Sequence, residues 1–199
     1  MHVQYLHRLQ FLSFTSYDYE ALNTRKKIAS FNNEEEYVED LGKKRNQINI
    51  KKYNAKNMEN MDEPVVEKLE IELIDFDIKG RNRIYFNPFM FERWYENPFK
   101  SEERLYPVDF GAPMTYTFVL NLAYPEDYKI SELPKPTAIS LPDNRGQYSF
   151  LVQDLNNRLS IRTVLKTSNI YSSEEYHALK ELFARMVQIN KMDIVFEKK

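Results

Sequence analysis

The most constraining feature of this sequence lies in its last third. Residues 147–155 and 158–166 flank the pair Asn156-Asn157. Asparagine tolerates positive φ, so the pair suits a two-residue hairpin turn. Closing the chain there sets Val152 opposite Ile161, Phe150 opposite Thr163 and Tyr148 opposite Leu165. All but a few of the large apolar residues then share one face, and a slip by one residue would move them to the other. Turn chemistry and hydrophobic pattern agree on a single register. A chain with such a hairpin is committed to an antiparallel sheet.

Other segments fit the same architecture. Residues 114–122 alternate, with Tyr116, Phe118, Leu120 and Leu122 on one face and Thr115, Thr117 and Asn121 on the other, which predicts a half-buried strand. Strands are also predicted over 3–14, 19–28, 47–53, 64–78 and 83–86, the last pairing back onto its predecessor across a turn at Lys79-Gly80. The alternation flips phase near Leu73-Ile74, so a bulge or corner is expected there. Shorter strands are expected at Ile130 and over 137–141, separated by Pro134 and Pro136, with a turn at residues 143–146. Residues 33–41 predict a helix, with three glutamates in its first turn and Lys43-Lys44-Arg45 after its last, the order that complements the helix dipole. A second helix begins at the capping box Ser172/Glu175 and carries Tyr176, Leu179, Leu182, Phe183, Met186 and Val187 at helical spacing. A short strand over 192–196 is expected to join a sheet edge.

No strand–helix alternation of the parallel type is visible. The predicted fold is therefore mainly β: an antiparallel β-sandwich with two peripheral helices. The polar stretch 54–63 is the best candidate seam, which divides the chain into a smaller N-terminal lobe over 1–62 and a β-sandwich domain over 63–199 that ends in a helix and short strand. The 42% hydrophobic and 14% aromatic content of 199 residues suffices for a core without staples.

Composition excludes several kinds of chemistry. The chain has no cysteine, which removes disulfides, thiolate metal sites, iron–sulfur clusters and a thiol nucleophile. With 28 basic and 30 acidic residues there is no footprint for nucleic acid. No apolar run is long enough to span a bilayer, and the first residues lack the pattern of a signal peptide. Nothing calls for a cofactor or metal.

The remaining candidates each have a plain structural reading. His2, His7 and His177 are not set among carboxylates at ligand spacing. Asp75 and Asp77 share a strand face and could bind calcium or move protons, but a wet face accounts for them. Glu102-Glu103 reads as a solvated loop, and Lys43-Lys44-Arg45 with Lys51-Lys52 is too small for a nucleic-acid patch. Pro134-Lys135-Pro136 reads as a loop rather than a polyproline ligand.

The aromatic stretch 87–110 holds the most interest. Trp94, Tyr95 and Tyr106 are the candidate ligand-binding residues, since exposed rings with polar tips can form a platform for glycan or extended peptide. Core filling beneath a long loop competes with this reading and is favoured by the number of phenylalanines. Two Asn-Pro-Phe triplets, Asn87-Pro88-Phe89 and Asn97-Pro98-Phe99, read as turns rather than as peptide ligands.

Several stretches read together carry a family resemblance. Arg104-Leu105-Tyr106-Pro107-Val108-Asp109-Phe110 follows the second triplet, and Pro125-Glu126-Asp127-Tyr128 leads into Glu132-Leu133-Pro134. Ser173-Glu174-Glu175-Tyr176-His177-Ala178-Leu179-Lys180 and Ile194-Val195-Phe196-Glu197-Lys198-Lys199 close the series. In order and spacing these resemble the C-terminal β-rich domain of unknown function that follows the transglutaminase-like, papain-like domain in a family of large bacterial envelope proteins. The resemblance is best over 82–199 and weaker upstream, where Tyr19-Glu20-Ala21-Leu22 and Arg25 look like the strand after the catalytic domain. It implies a Cys-His-Asp triad in a neighbouring module, none of which maps onto this chain. It also implies export to the periplasm or cell surface, and a transglutaminase- or protease-like domain as partner. The expected role is a non-catalytic structural or interaction domain; the alternative is a free-standing glycan- or peptide-binding sandwich using the aromatic loop.

Overall fold

The computed structural model describes residues 10–43, 48–73, 81–89 and 94–199. The described elements run β1 (Gln10–Ser16), α1 (Asp18–Ala29), α2 (Glu34–Lys43), β2 (Ile48–Lys56), β3 (Val65–Leu73), β4 (Arg83–Phe86), β5 (Val108–Asp109) and β6 (Met114–Ala123). They continue with β7 (Tyr128–Glu132), β8 (Thr137–Ser140), β9 (Gly146–Leu155), β10 (Arg158–Thr167), β11 (Ile170–Tyr171), α3 (Tyr176–Asn190) and β12 (Ile194–Lys198). The fold is mainly β, with a large antiparallel sheet and three helices.

The large sheet has the strand order β2-β3-β1-β6-β10-β9-β8. β4-β12-β7 form a second sheet, and β11 pairs with β5. The hairpin that anchors the sequence argument forms in the expected register: Val152 faces Ile161, Phe150 faces Thr163 and Tyr148 faces Leu165. Asn156 and Asn157 both adopt positive φ, 52° and 58°, as a primed turn requires. The register carries across the sheet, so that Leu12, Leu69 and Leu120 form one buried row and Phe14, Glu67 and Phe118 the next. Strands β1 and β2, which precede residue 62, are thus hydrogen-bonded into the same sheet as β3 and β6, which follow it.

One face of the large sheet is dry. α1 and α2 lie against one half of it: Thr24 Oγ1 donates to Ser16 Oγ, and the Tyr37 ring packs edge-on against Tyr53. α3 lies against β9, burying Leu179, Leu182, Phe183 and Met186. The second sheet joins the same core through Ile84, Phe86, Ile194 and Phe196, with the Phe196 ring 5.0 Å from that of Tyr124. Each large ring buried here contributes about 1.5–3 kcal/mol.

The structure departs from the sequence reading at several points. Residues 19–28, expected as a strand, belong to helix α1, so the peripheral helices number three rather than two. Ala21, Arg25 and Ile28 fall on one side at spacings of four and three, a helical period masked by the polar Arg25. β4 pairs with β12, while residues 74–78, onto which it was expected to pair back, lie outside the described residues. The C-terminal strand is therefore the centre of the second sheet, not an edge. β2 runs on to Lys56, into the stretch expected as loop. A register shift lies in β2 between Ile50 and Lys52, which brings Tyr53 onto the same face as Ile48 and Ile50. The bulge expected at Leu73-Ile74, the turn at 79–80, Asp75, Asp77, His2 and His7 lie outside the described residues.

Candidate functional site

The aromatic segment is organised by its two Asn-Pro-Phe triplets, and both do the same thing. Asn87 Oδ1 accepts the Phe89 N–H at 2.7 Å, and Asn97 Oδ1 accepts the Phe99 N–H at 2.9 Å. Each side chain folds over its own proline to make a local turn. Each amide then reaches α3: Asn87 Nδ2 donates to the Asn190 carbonyl at 3.0 Å, and Asn97 Nδ2 to the Lys180 carbonyl at 2.9 Å. Asn190 ends the helix, so the first of these bonds serves a carbonyl that has no helical partner. The phenylalanines point inward. Phe89 meets Phe150 edge-on at 5.5 Å, and Phe99 meets Phe183 at 5.0 Å. The turn reading of both triplets holds, and their rings are buried.

The three candidate ligand-binding residues fall in different environments. Trp94 is half-buried, its ring edge-on to Phe183 at 5.4 Å, and its carbonyl accepts Asn190 Nδ2 at 3.1 Å. Tyr95 is 39% exposed. Tyr106 is 79% exposed beside Leu105 at 90%, and its ring stacks on none of the described residues. The segment thus has a packed base at Trp94 and an outward tip at Tyr106.

Asn190 completes the base. It is 1% exposed, and its Oδ1 accepts the Tyr148 hydroxyl at 3.1 Å. This residue ties sheet, helix and aromatic segment together, which the sequence reading did not anticipate.

Two ionisable groups buried in the N-terminal half were also missed. Glu67 lies on the dry face of β3, where its Oε1 accepts the hydroxyls of Tyr37 at 2.7 Å and Tyr53 at 2.9 Å. Burial, reinforced by the adjacent Glu67 carboxylate, pushes the Tyr53 phenol far above its ordinary range. The signal was present in the strand pattern: Glu67 is in phase with Val65, Leu69 and Ile71, where an apolar residue belongs. Arg25, 6% exposed, inserts its guanidinium into the loop after β2. Its Nη2 donates to the carbonyls of Asn57, Asn60 and Glu63 at 2.5–2.8 Å, and its Nε to those of Asn57 and Met58 at 3.2 Å. The planar fork of arginine suits such a cage of carbonyls.

A further polar cluster fastens the start of α3. The capping box forms as expected: Glu175 Oε2 accepts the Ser172 N–H at 2.8 Å, and Ser172 Oγ accepts the Glu175 N–H at 3.3 Å. Arg145 Nε meets Glu175 Oε1 at 2.5 Å, and Arg145 Nη2 donates to the Ile170 carbonyl. The Ser172 N–H and then Arg145 hold the Glu175 carboxyl below the usual carboxylate range. Arg145 also lies over the ring of Tyr171, whose hydroxyl donates to the Arg145 carbonyl.

The other candidates occupy ordinary positions. His177 is exposed on α3. Glu102 pairs with Lys180 at 3.2 Å from an exposed loop, with Glu103 exposed beside it. Lys43 pairs with Glu39, Lys51 with Glu72 and Lys52 with Glu70. Among the described residues, no group of three or more histidine or acidic side chains is placed to hold a metal ion. No helix among them is long and apolar enough to cross a membrane. Asp127 Oδ1 and Thr167 Oγ1 are the buried side-chain oxygens without a protein partner among the described residues.

Comparison with known proteins gives one match. Residues 82–196, more than half of the chain, fit a family model described as a domain of unknown function. It starts just before β4 and ends within β12, so it covers the aromatic segment, the hairpin and α3. No curated protein and no solved structure matches.

Proposed function

The chain belongs to the DUF3858 family of domains of unknown function, and we propose that it is a non-catalytic structural or interaction domain. In this reading it accompanies a transglutaminase- or protease-like module of the bacterial envelope, in the same or a neighbouring chain. The resemblance drawn from residues 82–199 supplies the module and the periplasmic or cell-surface location. The observation that carries the non-catalytic part is how its polar groups are used. Glu67, Arg25, Asn190 and Glu175, polar side chains at the junctions of the fold, are each held by two or more hydrogen bonds within it. The missing thiol agrees with this, since the family's nucleophile would have to lie elsewhere.

The test has two arms. Immunoblotting of fractionated source cells should give a band well above 23.9 kDa in the envelope fraction. A cytoplasmic band at the chain's own mass would overturn the assignment to an envelope module. The purified chain should release no ammonia from a glutamine peptide with an amine acceptor and should not cleave casein. Turnover in either assay would make it an enzyme.

A second reading is favoured by the exposure of Tyr106 and Tyr95: the tip of the aromatic segment binds glycan or extended peptide. The lone tryptophan gives a clean readout, because Trp94 forms the base of the same segment. Quenching or a shift of Trp94 emission by oligosaccharides or peptides, lost in Tyr106→Ala, would support it. Unchanged emission across both ligand classes would remove it.

A further inference from the structure

The large sheet has a second face, which none of the described helices covers. Side chains alternate along a strand, so the register assigns Lys68, Ser13, Val119, Arg162 and Leu151 to one row of this face. Phe11, Asn121, Ser160 and Gln153 form the next. Two features set the face apart from an ordinary wet surface.

The first is charge. The side chains of Lys68, Arg158, Arg162 and Lys166 all project here and, among the described residues, form no ion pair or hydrogen bond. The acidic residues of the same strand faces, Glu70 and Glu72, are already paired with Lys52 and Lys51. Among the described residues the face therefore offers cations and no free carboxylate, in a chain whose net charge is −2. Arg158, Arg162 and Lys166 follow one another at four-residue intervals, roughly 13 Å apart along β10.

The second is exposed apolar surface placed beside those cations. Leu155 lies directly opposite Arg158, and Leu151 directly opposite Arg162. Leu155 is 71% exposed, Leu151 51% and Phe11 50%. A cleft of about 430 Å³ opens between Phe11, Asn121, Arg158 and Ser160 over a floor of Leu122 and Leu159. Arginine beside exposed aliphatic and aromatic side chains is the composition of a protein interface.

We propose that this open face docks an acidic polypeptide segment, with Arg158 and Arg162 taking its carboxylates and Phe11, Leu151 and Leu155 its apolar side chains. The paired leucines decide against a nucleic acid, which has no aliphatic surface to set against them. The inference rests on the interaction role proposed above and gives that role a surface and a partner of defined charge.

The experiment is fluorescence anisotropy of a labelled peptide of alternating glutamate and leucine, titrated with the whole chain at low salt. Saturable binding is expected, weakened about tenfold or more in Arg158→Glu/Arg162→Glu and weakened also in Leu151→Ser. The double reversal Lys26→Glu/Lys135→Glu, off this face, should bind as the parent does, and thermal melts verify that all variants fold. The proposal is overturned by no saturable binding, by equal loss in the Lys26/Lys135 control, or by tighter binding to a thymidine oligonucleotide or to phosphatidylglycerol vesicles. Such failure would leave the envelope assignment standing, because fractionation and immunoblotting test that separately.

Discussion

The hydroxyl of Tyr37 donates to the Glu67 carboxylate at 2.7 Å on the dry face of the large sheet. Tyr53 donates to the same oxygen at 2.9 Å, so one acceptor satisfies two phenols. Glu67→Ala would strand both. A buried donor left without its partner costs about 1–3 kcal/mol, so a total loss of about 3 kcal/mol is expected. Glu67→Gln keeps an oxygen in place and should cost about 1 kcal/mol, the part owed to charge assistance. Urea denaturation of the two variants measures this; equal losses would mean that charge, not the shared acceptor, holds the cluster.

The paired asparagine turns make a second prediction. Asn87→Ala and Asn97→Ala each remove a turn bond and a bond to α3. Each should lower stability by about 1–2 kcal/mol. Asn190, which bonds both Asn87 and the Trp94 carbonyl, couples the first triplet to Trp94. Trp94 emission should therefore shift to the red in Asn87→Ala more than in Asn97→Ala.

Arg25 fixes the loop after β2 through carbonyls alone. Arg25→Met should free residues 57–63 to cleavage by a glutamate-specific protease at Glu59. Arg25→Lys should protect only in part, because an ammonium cannot reproduce the flat fork. Digestion followed by mass spectrometry decides it; cleavage of the unaltered chain at the same rate would sink the idea.

Stability should fall at both ends of the pH scale, for different groups. Burial raises the phenols of Tyr53, Tyr124, Tyr128 and Tyr171, with the Asp154 carboxylate adding to the effect at Tyr124. A raised folded pKa means that the unfolded chain releases these protons first. Their contribution is thus complete below pH 10 and declines as pH rises beyond it. Absorbance at 295 nm should show a set of tyrosines that ionise only with unfolding. Glu175 has the opposite sign. Its lowered pKa contributes stability above the ordinary carboxylate range, which is lost as pH falls through the folded value. Acid melts of Arg145→Met, which removes the guanidinium beside Glu175, should show a smaller drop than the parent.

Much of the framework was legible because it is local. The turn at Asn156-Asn157, the alternation of β6, β9 and β10, and the capping box before α3 need only neighbouring residues, and the structure contains all of them as read. α1 was misread because Arg25 and Thr24 stand on its buried side, where a helix that depends on apolar contacts would carry leucine. The reason those residues serve there, the carbonyls of 57–63 and Ser16, comes from elsewhere in the chain.

The candidate site divides in the same way. The sequence by itself determined the hairpin and its register, the placement of the two Asn-Pro-Phe turns and the lack of any thiol chemistry, since each follows from residue type and short spacing. The packing of distant segments decided that β12 is central, that Glu67 lies between two phenols, and that Asn190 joins the sheet to the aromatic segment. These are contacts between residues up to more than a hundred positions apart. Side-chain pairing at such separations depends on which strands become neighbours, and strand order is set by the packing of the whole core.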